Sequence, residues 1–157
     1  MSSSKSPRWR RAHADDSALL LGWRNDALTR RNSLNTARVP RADHEAWLSR
    51  RLADRRCALW LALDGSGRPV GQLRLDRARG AATVSITVAP ARRGEGWAAA
   101  MLRSIPPPRP AVLRATVKPD NIPSVMAFVK AEFQFLRVAR ENGGAVYLFE
   151  RRRTPHA

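Results

Sequence analysis

The sequence predicts an α/β (α+β) fold: a mixed, largely antiparallel central sheet of about seven strands, flanked by about four helices. Three observations lead there. Between Cys57 and Val88, three apolar, strand-like segments are separated only by short Gly- and Asp-bearing turns, which gives consecutive antiparallel strands. Within Val84–Met101, a strand runs through a glycine-bearing turn directly into a helix start. After that helix, another strand, a helix and a closing hairpin follow, so helices and strands alternate where a purely antiparallel protein would have strands only.

Arg8 to Ala12 reads as a first strand. Either Asp15 or Asp16 caps a helix that continues through Asn25, with Leu19, Leu20 and Trp23 on its apolar face. Arg30 to Val39 reads as loop. Pro40 opens a second helix with Asp43 and Glu45 in its first turn, where negative charge suits the helix dipole. Ala42, Ala46, Trp47 and Leu52 fall close to one face of that helix at helical spacing. Cys57–Leu63 is a strand, Asp64-Gly65-Ser66-Gly67 a turn, and Pro69–Leu75 the returning strand. A turn over Arg77 to Gly80 leads into Ala82–Val88, where Val84, Ile86 and Val88 alternate with polar or small residues, the period of a half-buried strand. Pro90, lacking a backbone donor, stops it.

The alanine-rich run after Gly96 has strong helix propensity and reads as a helix from about Glu95 to Ile105. A helix cannot continue through Pro106-Pro107-Pro108-Arg109-Pro110, which forms a stiff link to a strand at Val112–Val117. Asp120 caps a helix to about Ala131, with Val125, Met126, Phe128 and Val129 available for burial and Pro123 in its first turn. Gln134–Ala139 and Ala145–Glu150 make a final hairpin. One domain over residues 8–150 is expected, between a disordered N-terminal tail (1–7) and a basic C-terminal tail (151–157).

Composition narrows the function. With 43% hydrophobic residues, the chain can build a core and is not of the disordered class. No apolar run approaches the ~20 residues needed to cross a bilayer, so no membrane partner is expected. A single cysteine, Cys57, and no export signal point to a cytoplasmic protein, and three scattered histidines offer no metal site. The net charge of +16 has three competing readings: nucleic-acid binding, attraction of polyanionic small molecules, or a compositional bias toward arginine. No nucleic-acid-binding motif accompanies the charge.

The strand–turn–helix at Val84–Met101 is a physical device. Glycines let a phosphate approach the free N–H groups and positive dipole of a helix start, and Arg92 and Arg93 add charge beside it. The spacing is neither that of a Walker loop nor that of a dinucleotide fingerprint. Arg93-Gly94-Glu95-Gly96-Trp97-Ala98, after Val88-Ala89-Pro90, resembles the acyl-CoA loop of the GNAT N-acyltransferases. The order of elements resembles the GNAT fold along Arg8 to Glu150. That resemblance implies a parallel strand pair splayed apart to admit the pantetheine arm. It also implies acetyl-CoA as cosubstrate without a metal, pyrophosphate held by Arg93 to Ala98, oxyanion support from a backbone N–H near Val88, and a CoA contact from Asn121. Trp23-Arg24-Asn25-Asp26, His44, Trp47 and Gly71 to Arg77 resemble a subgroup acting on nucleotide-linked 4-amino sugars. Acceptor contacts by Trp23, Arg24 and Asn25 are therefore expected, and a small-molecule amine is the expected partner of a monomer or homodimer.

Thr83 and Phe128 stand where many GNAT proteins carry an acid–base glutamate and a tyrosine. Neither can move a proton as those residues do. Asp76 or His44 is then the candidate to polarise the amine. For Asp76 an ion pair with Arg74 or Arg77 is the alternative, for His44 a solvated helix position, for Trp23 and Trp47 core packing, and for Arg24 and Asn25 a helix-capping role. A protein or peptide amine acetyltransferase and a non-catalytic acyl-CoA or nucleic-acid binding module are the rival functions.

Overall fold

The computed structural model describes residues 5–153. Its strands are β1 (Arg8–Arg11), β2 (Cys57–Leu63), β3 (Pro69–Ala78), β4 (Ala81–Val88), β5 (Val112–Val117), β6 (Gln134–Glu141) and β7 (Gly144–Arg152). Its helices are α1 (Ser17–Asn25), α2 (Ala27–Asn32), α3 (Arg41–Ala53), α4 (Trp97–Arg103) and α5 (Ile122–Lys130). The strands form one seven-stranded sheet in the order β1-β2-β3-β4-β5-β7-β6. Every neighbouring pair is antiparallel except β4 and β5, which are parallel.

That parallel pair positions the site. Its pairing begins at Ala81 and Val112 and ends at Thr83 and Arg114, although β4 continues to Val88 and β5 to Val117. Beyond Thr83 the two strands diverge and leave a gap in the middle of the sheet. Each strand keeps its outer partner through the gap: Val88 still pairs with Gly71 of β3, and Val117 with Tyr147 of β7.

The period of two divides the core between the two faces. Leu59 and Leu61 of β2 join Leu20, Trp23 and Leu48 under α1 and α3. Ala58 and Ala62 turn the other way, with Leu73 and Leu75 of β3, against Met101 and Leu102 of α4 and Phe128 of α5. α4 lies very close to the sheet at Gly71. A Cβ on that glycine would sit 2.7 Å from the Thr87 carbonyl oxygen and 2.8 Å from Met101 Sδ. The first of these is backbone and cannot swing away. Gly71→Val is expected to destabilise the fold by about 1–3 kcal/mol through overpacking. For a chain of this size that lowers the unfolding midpoint by about 2–4 °C per kcal/mol. Thermal unfolding followed by circular dichroism checks it; an unchanged midpoint would contradict this packing.

Several expected boundaries move for identifiable reasons. α2 (Ala27–Asn32) takes the first residues of the stretch read as loop, Arg30 to Val39, and is capped by the Asp26 carboxylate accepting from Thr29 N–H (3.1 Å). On α3 the inward residues are His44 and Leu48, whereas Ala42, Ala46 and Leu52 face outward. On α5, Ala127 and Phe128 are buried but Met126 and Val129 are exposed. Asn121, not Asp120, caps that helix. Trp97, not Glu95, begins α4, because Gly94 and Gly96 both take positive φ. The basic segment expected as a tail from residue 151 starts inside β7. Arg151 donates to the Leu102 and Ala131 carbonyls at the ends of α4 and α5, both at 2.9 Å, with its guanidinium over Phe133. Of the expected N-terminal tail, residues 1–4 lie outside the described residues, and Pro7 is buried.

Candidate active site

The gap between β4 and β5 opens into a cavity of about 610 Å³, walled by α1, α3, α5 and the segment between α2 and α3. The antiparallel ladder fixes which backbone groups face the gap. Ala89 N–H donates to the Val70 carbonyl at 2.8 Å. Hydrogen-bonded and non-hydrogen-bonded pairs alternate along such a ladder. The N–H and C=O of Val88, opposite Gly71, therefore face away from β3 and into the gap. A donor fixed there can stabilise negative charge developing on a carbonyl oxygen without reorganising.

The loop beyond β4 is shaped for an anion. Gly94 (φ 77°) and Gly96 (φ 88°) adopt left-handed conformations, and an added Cβ on either would meet no atom within 4 Å. Among the described residues, no hydrogen bond is donated by the backbone N–H groups of residues 93–98. Such a row of unengaged donors suits a pyrophosphate. The two arginines beside the loop are already engaged. Arg92 bridges Asp64 (2.9 Å) and Glu95 (3.1 Å), while Arg93 pairs with Asp26 and donates to Thr29 Oγ1 at 3.0 Å. Their charge is thus spent largely on fixing the loop against the β2–β3 turn and α2. Arg92 holds the Asp64 carboxyl far below its usual range, as Arg93 lowers that of Asp26. Trp97 is buried in the core beneath the loop, with its indole N–H on Glu95 (3.3 Å). Ala98 packs against the same core.

The expected acceptor and catalytic residues, with the expected CoA contact Asn121, separate into two groups. Arg24, His44 and Asn121 line the cavity. Asn121 does so while its side chain accepts from Ser124 N–H at 3.4 Å to cap α5. His44 is 4% exposed, with Nδ1 3.4 Å from Ser17 Oγ and its ring 5.5 Å from Trp47. It is not the solvated helix residue of the alternative reading. Burial first, and the positive charge of Arg24 second, lower its pKa below the usual imidazole value, so the ring is neutral at neutral pH.

The other three lie outside the cavity. Trp23 is core, 7% exposed between α1 and the sheet. Asn25 clasps the backbone of Val39 from both sides, donating through Nδ2 (2.9 Å) and accepting through Oδ1 (2.8 Å). It therefore fixes the segment that leads into α3. Asp76 takes the ion-pair alternative, bound to Arg51 (3.0 Å) and Arg74 (2.8 Å). Arg77 instead donates to the Pro108 carbonyl. Phe128, at the position where a tyrosine acid was sought, is 2% exposed and stacks on Phe149. Thr83 is exposed at the last paired position before the gap.

Sequence reasoning missed Gln72, Arg74, Ser85 and Thr116 as cavity residues. The signal was present for the β3 pair. Leu73 and Leu75 alternate with Gln72 and Arg74, so one face of a central strand is apolar and the other polar although both are covered. Polar residues on a covered face need partners or a ligand. Arg74 also lies over the Trp47 ring at 5.5 Å, which explains why that tryptophan is partly buried at the cavity wall.

Among the described residues, no cluster of three His, Cys, Asp or Glu side chains could hold a metal ion, and no helix is long and apolar enough to cross a membrane. No protein-family profile and no curated protein matches the chain. Solved structures do match it. An aminoglycoside acetyltransferase, AAC(6')-Ib, in complex with coenzyme A and kanamycin superposes with a TM-score of 0.81 at 18% identity, covering 94% of this chain and 95% of that one. A spermidine N-acetyltransferase from Vibrio cholerae in complex with CoA and spermine superposes with a TM-score of 0.82 at 13% identity, covering 94% and 95%. The architecture is that of the GNAT acetyltransferase fold, with its mixed seven-stranded sheet and its one parallel pair.

Proposed function

We propose that this protein is an acetyl-CoA-dependent N-acetyltransferase acting on a small primary amine. The observation that carries the reading is the open β4–β5 gap, with the Val88 peptide group facing into it and a row of unengaged N–H donors at residues 93–98 beyond its end. Similarity to acetyltransferases solved with CoA and amine ligands supports it from the fold side. The resemblance of the Trp23–Asp26, His44–Trp47 and Gly71–Arg77 segments makes a nucleotide-linked 4-amino sugar the acceptor class to try first.

In this reading the N–H groups of Arg93 to Ala98 hold the pyrophosphate, and Asn121 contacts the CoA arm. Bound acetyl-CoA supplies the thioester carbonyl that the amine nitrogen attacks; the C–N bond forms as the carbonyl oxygen becomes an oxyanion, and its collapse breaks the C–S bond and releases CoA as a thiolate that takes up a proton from solvent. The Val88 N–H stabilises the oxyanion. His44, neutral at neutral pH, accepts the proton that the attacking amine must lose, directly or through water. Asp76 positions Arg74 and does not touch the amine. With Phe128 unable to donate a proton, holding the two substrates in line carries much of the acceleration. The positive surface draws in the polyanionic cosubstrate.

The test is release of free CoA thiol from acetyl-CoA in the presence of a library of primary amines, with acetylated product identified by mass spectrometry. Amine-dependent thiol release is the expected result. Tight acetyl-CoA binding with no turnover on any amine would favour the non-catalytic module.

A further inference from the structure

The acceptor side of the cavity carries more positive than negative charge, and that bears on what the amine substrate looks like. Arg24 lines the cavity and forms no ion pair among the described residues. Its Nη2 donates to the Asn35 carbonyl at 2.8 Å, which fixes the guanidinium, while its Nη1 is buried with no hydrogen-bond partner. Arg24 is half-buried, and leaving a buried donor such as its Nη1 unsatisfied is costly. Burial first, and the positive charge of Arg30 second, disfavour the charged form of Arg24.

On the far side of His44 and Trp47 stands Arg74. Its carboxylate partner, Asp76, is shared with Arg51, so the three-residue cluster keeps one net positive charge. Asp43 is the one carboxylate in the cavity lining, and it forms no ion pair among the described residues. The wall thus presents two cations for an anion, a neutral histidine between them, and a single carboxylate suited to an ammonium. A polycationic acceptor, such as the spermine or kanamycin bound by the similar structures, would meet like charge here.

We propose that the acceptor is an amine that also carries an anionic group, a phosphate or a carboxylate, that Arg24 recognises that anion, and that Arg74 adds positive charge to the same wall. This rests on the acetyltransferase reading and specifies its substrate class. An anion seated against the cavity-lining side of Arg24 gains a charge-assisted bond, and that bond sets the amine at a fixed distance from His44.

The experiment uses the full chain saturated with CoA and reads binding by intrinsic tryptophan fluorescence, with Trp47 as reporter. Matched pairs are titrated: glucosamine 6-phosphate against glucosamine for the phosphate, and methionine against methioninamide for the carboxylate, with spermidine as the polycation. At least tenfold tighter binding of the anionic member of one pair is expected, and the pair that shows it identifies the anion. Arg24→Gln should erase the preference and Arg24→Lys restore part of it, with CoA affinity unchanged. Arg74→Gln provides the same reading if the Arg24 variant does not fold. No preference for the anionic member in either pair, tighter binding of spermidine, or a preference that survives both arginine substitutions would overturn the proposal. Failure of the protein to bind CoA in the first step would instead defeat the acetyltransferase reading beneath it.

Discussion

Gly96→Asp is expected to abolish acetyl-CoA binding while leaving a folded protein. Two effects act together at this position. Gly96 sits at φ 88°, where a side chain costs about 1–2 kcal/mol of backbone strain. An added Cβ there meets no other atom, so the strain is the whole structural cost. The carboxylate then places negative charge at the row of N–H donors proposed to hold the pyrophosphate. Like-charge juxtaposition in a binding site costs several kcal/mol, which corresponds to about a hundredfold or more in affinity. Gly96→Ala separates the two effects, because it carries the strain without the charge. Calorimetric titration of both variants checks the prediction: Ala should retain most of the affinity and Asp should lose it. Equal affinities in the two variants would show that residues 93–98 do not hold the phosphates.

His44→Ala is expected to reduce kcat by about a hundredfold or more, the contribution typical of a positioned general base, with acetyl-CoA affinity unchanged. The pH dependence gives a second and independent reading. The pKa of His44 lies below the ordinary value of about 6.5 because the ring is buried and faces Arg24. In the unfolded chain the ring takes up its proton near 6.5, while in the folded protein it remains neutral to lower pH. The unfolded state therefore binds more protons as pH falls through this window, and stability is lost from about pH 6.5 downward toward the depressed folded value. Above pH 6.5 both states are neutral at this group and it contributes no slope. His44→Gln should flatten that acidic loss, as read from unfolding midpoints between pH 5 and 8. A mutant with the same slope as the parent would mean that His44 is not held neutral by its surroundings.

Both predictions rest on a site only part of which could be read from the chain. β2 and β5 fall on the expected residues because each is a short apolar run closed by strong punctuation: Asp64 to Gly67 after one, and the prolines at 106–110 before the other. The anion loop was legible because its glycines and the strand before it are local features. α2 was not, since none of its residues is buried and its polar sequence carries no period. It is held by the Asp26 cap and by Arg93 reaching across from the loop, a contact between residues 67 positions apart that no local pattern encodes.

The phase of α3 was misjudged for a related reason. Its alanines and leucines are too few to define a stripe, and the face that turns inward is led by His44 and Leu48, with Trp47 and Arg51 beside them. Reading His44 as inward would have required knowing that Ser17 and the cavity wait for it. Asp76 misled in the opposite direction. A carboxylate beside the proposed site reads as chemistry, yet with arginines on β3 and α3 in reach its charge is consumed in holding them.

The most direct test of the central claim, that the β4–β5 gap and its loop form an acetyl-CoA site, is the unfolding midpoint of the unmodified protein at increasing acetyl-CoA. A ligand that binds only the folded state stabilises by about 2.7 kcal/mol at a hundred times its Kd. The midpoint should therefore rise by about 5–10 °C and keep rising with the logarithm of concentration. A midpoint that does not move at millimolar acetyl-CoA would contradict the account.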